Sequence, residues 1–199
     1  MLAWIVLQLP LALFPAPTPP TCQLEVLPPA AIEERVLQDF NQRVNQYIRL
    51  HRRLERGLPP ERLFGDVEDM SAAVDALHQA MIDARPHATA GTLFTPGVAE
   101  LLTARLTRAI VKSGHTPAEA LIAFNLGYLG GIPDATINGR VPPGRYVRMW
   151  PALLATLPDL PPELEYRFIG WDLAIIDVHA DLIVDILKDA LPVPHGGLV

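Results

Sequence analysis

Two carboxylates and an imidazole alternate near the end of the chain: Asp177, His179 and Asp181 in IIDVHADLIVDIL, residues 175–187. Oxygen and imidazole donors of this kind hold divalent metal ions. Spacing decides how well they can do so. On an extended strand, alternate residues share a face but stand about 6.6 Å apart. Ligands around zinc, each about 2.1 Å from the ion, lie roughly 3.5 Å from one another. An unbent strand therefore brings these three heads together poorly. A turn uses the same residues without a metal. Asp177 and Val178 close one strand, His179-Ala180 are central in a type I turn, and Asp181 takes the left-handed place that Asp tolerates. The turn reading is preferred, and Asp177, His179 and Asp181 stand as the candidate metal set. A calcium loop fits worse, because it needs glycine at the sixth place and glutamate at the twelfth, where the chain has Leu182 and Lys188.

Other chemistry is thin. His51 and His78 fall on or beside helical stripes and read as core or edge imidazoles. His87 and His115 fall in loops and His195 in a tail. No histidine has a partner at metal-binding helical spacing. The only serines are Ser71 and Ser113, and no Gly-x-Ser-x-Gly elbow occurs, so seryl hydrolysis is poorly supported. NLGYLGGIP, with Gly127, Gly130 and Gly131, lacks the Lys-Ser/Thr of a phosphate loop and follows a helical segment, so it reads as a helix C-cap. Tyr146, Trp150, Tyr166, Phe168 and Trp171 could line a groove, but more readily cover a small sheet. No catalytic residue and no cofactor is expected, and a non-enzymatic role is favoured.

The elements that must position these residues follow from periodicity. From Ala31 to about Arg56, Ile32, Val36, Phe40, Val44, Tyr47, Leu50 or His51, and Leu54 recur at helical steps. Acids lie early in this segment and Arg49, Arg52, Arg53 and Arg56 late, as the helix dipole favours. A second helix is expected over Val67–Ala84, with Met70, Val74, Leu77 and Met81 inward. A third begins at Thr95-Pro96, with threonine as N-cap, and turns Val98, Leu102, Leu106 and Ile110 to the core. Thr116-Pro117-Ala118-Glu119 has the spacing of a capping box and opens a fourth, carrying Leu121, Phe124 and Tyr128. Asn138-Gly139 signals a tight hairpin between Thr136-Ile137 and Arg140-Val141. A short helix is expected around Val147–Leu157. Leu164–Ile169, Asp172–Val178 and Leu182–Leu187 then alternate as strands, broken at Gly170 and around Ala180. The expected fold class is α+β: about four amphipathic helices followed by a C-terminal antiparallel three-stranded β-meander.

Composition bounds the rest. A chain of 199 residues, half of them apolar, can bury one good core. A net charge of −6 without a basic stripe argues against nucleic-acid binding. Cys22 is the only cysteine, which removes intramolecular disulfides, Cys-cluster zinc sites and CxxC redox chemistry. Leu2 to Phe14 is apolar but shorter than the roughly 20 residues that span a bilayer, and it suits the h-region of a secretory signal. It has no preceding Lys or Arg and no clean small-residue cleavage box. An uncleaved segment would tether the protein to a membrane through residues 2–16. The expected organisation is a signal-like or anchor segment over 1–23, a single α+β domain over 24–191 and a flexible tail over 192–199. Within the domain, 30–131 is helical and 132–191 holds the hairpin and β-meander.

DFNQRVNQYIRLHRRLE, LFTPGVAELL and LPPELEYRFIGWDLAIIDVHADLIVDILKDALP together resemble a family of uncharacterised exported bacterial proteins. The resemblance covers most of the chain after the N-terminal segment and implies a signal, a helical region, a closing β-meander and no established activity. Members of that family commonly carry Asn where this chain has Asp181, which suits a left-handed turn place. The last hairpin alone is similar to the C-terminal β-unit of periplasmic nickel/cobalt-homeostasis proteins. The expectation is an extracytoplasmic cell-envelope protein, periplasmic or secreted, that binds a protein partner or small ligand. The alternative is metal handling through Asp177, His179 and Asp181.

Overall fold

The computed structural model describes residues 28–58, 67–125, 134–142 and 149–191. The signal-like segment, the tail from Pro192 and the Gly127–Gly131 cap lie outside them. Helix α1, Pro29–Glu55, starts on proline and buries Phe40, Val44, Tyr47, Ile48 and His51. The expected stripe is thus present, with His51 rather than Leu50 fully inside and Ile32 half exposed at its start. Helix α2, Val67–Ala84, buries Leu77, His78 and Met81 but leaves Met70 exposed. Helical spacing alone would turn Met70 inward; it is exposed because α2 meets the core only through its second half.

Helix α3, Pro96–Lys112, buries Val98, Leu102, Leu106 and Ile110 completely, as their spacing predicts. Thr95 occupies the cap position but its side chain makes no capping bond. Pro96, with φ fixed and no N–H to satisfy, starts the helix instead. Helix α4, Pro117–Asn125, does have its capping box. The Glu119 amide donates to Thr116 Oγ1 at 3.2 Å, and the Thr116 amide to Glu119 Oε2 at 2.7 Å. A short α5 covers Pro151–Leu154. Beside it Trp150 and Phe168 pack against Phe124, at 4.9 and 4.8 Å between ring centroids.

Three antiparallel strands close the fold in the order β1 (Leu164–Ile169), β2 (Asp172–Asp177) and β3 (Leu182–Leu187). Leu164 lies opposite Asp177 and Ile169 opposite Asp172 across a turn in which Gly170 takes φ 64°, a conformation glycine adopts without strain. Leu173, Ile175, Leu182 and Val184 face the helices, while Ala174, Ile176, Ile183 and Ile186 pack under Val141 on the other face. Cover on both faces explains why β2 and β3 are almost wholly buried. Each fully buried Leu or Ile there contributes about 1.5–3 kcal/mol.

The Asn138-Gly139 turn forms, with Asn138 at φ 62° and the Gly139 amide donating to Thr136 O at 3.0 Å. The turn, however, pairs with β3 through Asn138, Gly139 and Arg140. Asn138 N–H donates to Ile183 O and Ile183 N–H to Gly139 O, both at 2.9 Å, and Arg140 bridges Leu182. Two-residue arms are too short to hold their own ladder, and β3 is an edge whose backbone groups need partners.

Candidate metal centre

The end of α1 and the β2–β3 turn meet at one place. Tyr47, His51 and Glu55 stand at successive four-residue steps, so they line one face of α1. That face runs from the core toward solvent: the His51 side chain is 0% exposed, while that of Glu55, the last helical residue, is 42% exposed. Opposite them, Asp177 ends β2 on the helix-facing side and is itself fully buried. The adjoining turn carries His179, with a side chain 47% exposed.

Asp177 organises this junction. Its Oδ2 accepts the Tyr47 hydroxyl at 2.7 Å and His51 Nδ1–H at 2.6 Å. Its Oδ1 accepts the backbone amides of His179 at 3.1 Å and Ala180 at 3.0 Å. One carboxylate therefore fixes both the ring of His51 and the turn that presents His179. With Asp177 Oδ2 as the acceptor, the proton of the bond to His51 sits on Nδ1. That leaves Nε2 pointing the other way. Nε2 is buried, makes no hydrogen bond and lies 3.5 Å from Glu55 Oε2. The remaining Glu55 oxygen accepts His179 Nδ1–H at 2.8 Å, and the two imidazole rings are 5.5 Å apart between centroids.

Donor atoms of His51, Glu55 and His179 all lie within 4.8 Å of one another. Of the residues expected from the sequence, His179 belongs to this group. Asp177 stands behind it with both oxygens already occupied. Asp181 adopts φ 45°, the left-handed place that the turn assigns to it, and pairs with Arg140 at 3.2 Å. His51 and Glu55 are the residues that sequence reasoning passes over. Contrary to the expectation that no histidine has a partner at helical ligand spacing, they are four residues apart on one helix. The signal lies in Tyr47-x3-His51-x3-Glu55, a polar series continuing an apolar stripe.

The local electrostatics are strong. Burial alone would lower the pKa of His51, but the hydrogen bond and charge of Asp177, with the charges of Glu55 and Glu163, raise it above the usual histidine value. Burial, then the charge and hydrogen bond of Asp177, push the Tyr47 phenol far above its ordinary range, so it stays a donor. Glu163, just before β1, is gripped by Arg52 Nε at 2.5 Å, which holds its carboxyl below the usual range. Its Oε2 is buried without a partner. Next to Tyr47, the Arg85 guanidinium stacks on the phenol ring at 5.0 Å and donates to Val184 O at 3.0 Å.

Among the described residues no helix is long and apolar enough to cross a membrane. Comparison with known proteins finds no matching family model, no matching curated protein and no matching solved structure.

Proposed function

We propose that this protein binds a divalent transition-metal ion through His51, Glu55 and His179, with Asp177 and Tyr47 as the supporting layer. The observation that carries the reading is the buried Nε2 of His51, which makes no hydrogen bond and converges with donor atoms of Glu55 and His179 while its Nδ1–H is held by Asp177. A carboxylate behind a histidine fixes the ring and its tautomer and makes the free nitrogen a better donor. Two imidazoles and one carboxylate form a borderline donor set suited to zinc and its neighbours rather than to calcium or magnesium. The signal-like character of residues 1–23 supports an extracytoplasmic setting.

The test is thermal and urea unfolding of the chelated full chain with zinc, nickel, cobalt or copper added in turn. Binding to the native state alone adds about 2.7 kcal/mol at a metal concentration of 100 times Kd. The rise is expected to vanish in His179→Ala and Glu55→Gln, whose side chains are half exposed, and to survive in Asp181→Asn. No shift with any of these metals would overturn the reading and leave His51 as a buried imidazolium held between Asp177 and Glu55.

A further inference from the structure

We propose that the ion at this centre is held for transfer, handed on when a nitrogen or sulfur donor of an acceptor molecule enters a coordination position that the protein leaves open. This rests on the metal reading above and adds how the metal leaves. Zinc takes four ligands, and among the described residues three donor groups converge. The three are unequal. His51 is sealed in the core behind Asp177, whereas Glu55 and His179 stand at the water boundary with side chains 42% and 47% exposed. Both outer ligands sit at the ends of elements, Glu55 on the last residue of α1 and His179 in a turn. Each can swing away without disturbing a strand or the body of the helix.

Beyond Asp177, whose oxygens are occupied, Glu163 is close enough to act on the charge of His51, yet its donor atoms are not among those that converge. Arg52 holds it by Oε1 at 2.5 Å. With Glu55 and His179 at the water boundary, an incoming fourth ligand can reach the three donors from solvent. Grooves of about 640 Å³ beside Arg108 and Lys112, and about 210 Å³ beside Arg85, include none of the three ligands. Exchange with a donor arriving from solution needs no cleft, only an accessible coordination position.

The step balances without redox. Each protein bond that breaks, to His179, then Glu55 and finally His51, is replaced by a bond from the ion to a further donor atom of the acceptor or to water. Any proton the acceptor's donor gives up passes to an imidazole it replaces. The Glu55–His179 pair seen at 2.8 Å is then restored.

The experiment has two parts. Isothermal titration of the chelated full chain with zinc establishes loading. The zinc-loaded protein is then mixed in stopped flow with excess chromogenic pyridylazo chelator at increasing concentration. The expected result is a transfer rate that rises in proportion to chelator concentration, in wild type and in Glu163→Gln alike. A wild-type rate independent of chelator concentration over the whole range would mean that the ion must dissociate before capture, and would overturn the proposal while leaving metal binding intact. Such independence in wild type, giving way to a concentration-dependent rate in Glu163→Gln, would overturn it too, naming Glu163 as the fourth ligand of a closed centre. Absence of zinc loading would overturn both the transfer proposal and the reading beneath it.

Discussion

Two aspartates are buried at 0% exposure in the same sheet, and they are satisfied in opposite ways. Asp185, on β3, accepts backbone amides: Gly91 at 2.9 Å, Leu93 at 2.6 Å, Phe94 at 2.8 Å and its own neighbour Ile186 at 2.8 Å. Asp177, on β2, shares itself between two amides of the adjoining turn and two side chains of α1. The amides that Asp185 holds cannot titrate or bind anything else, so its hydrogen bonds pin the loop before α3 onto the sheet edge. One partner of Asp177 is an imidazole with a second nitrogen, and the order imposed on it is passed outward to groups that reach water. A buried charge thus marks a site only when its partners have chemistry of their own to spare.

The comparison can be broken most forcefully at Asp185. Asp185→Ala orphans the buried amides of Leu93 and Phe94 and the part-buried amide of Gly91, and is expected to cost about 4–6 kcal/mol in urea unfolding. Any folded fraction should still bind zinc. Loss below about 1 kcal/mol would show that the loop amides find water instead. Asp177→Ala is expected to cost about 3–5 kcal/mol, as removal of one partner from a buried pair does, and here zinc binding should go as well. The milder Asp177→Asn sharpens the contrast. Its amide keeps the shape but loses the charge behind His51, and titration calorimetry should show zinc affinity about 10–100-fold weaker.

A smaller effect lies in pH. The folded pKa of His51 is raised by Asp177, Glu55 and Glu163 against the cost of burial, with Tyr47 and His179 completing its surroundings. Its contribution to metal-free stability is therefore fully present below the unfolded value of about 6.5, and is lost as pH rises through the folded value. Zinc reverses the trend, because only an unprotonated imidazole binds metal, so the gain on loading should grow from acid to neutral pH. Unfolding curves across pH, chelated and loaded, check both signs. Thr116→Ala, which removes the α4 cap far from either aspartate, is expected to cost about 1 kcal/mol without touching metal affinity.

The strands are legible in the sequence almost to the residue, because short runs rich in Ile, Val, Leu, Tyr and Phe are bounded by Gly170 and the turn around Ala180. The α3 stripe and the α4 capping box are equally plain. The centre is legible by half. Asp177 and His179 draw attention as polar residues inside an apolar run, but alternation counts them on one strand face together with Asp181, and the turn breaks that count. His51 looks like a core residue because it is one on one side of its ring. Its second role depends on a neighbour 126 positions away, and no local pattern in α1 specifies that. Asn138-Gly139 announces a turn but not its pairing, since the strand that claims its arms comes some 40 residues later.

That separation has a consequence in time. Tyr47 and Asp177 are 130 residues apart, so the bond that assembles the centre closes a long loop. Contacts of such range form late, since the entropy of closing the loop must be overcome before the contact rewards it. A chain emerging N-terminus first displays α1, with His51 and Glu55 in place, long before Asp177 and His179 exist to meet them. A chain cut short before Asp177 would lack any complete centre, so on the proposed reading possession of the metal would certify that synthesis had passed the β2–β3 turn and that the sheet had docked on α1.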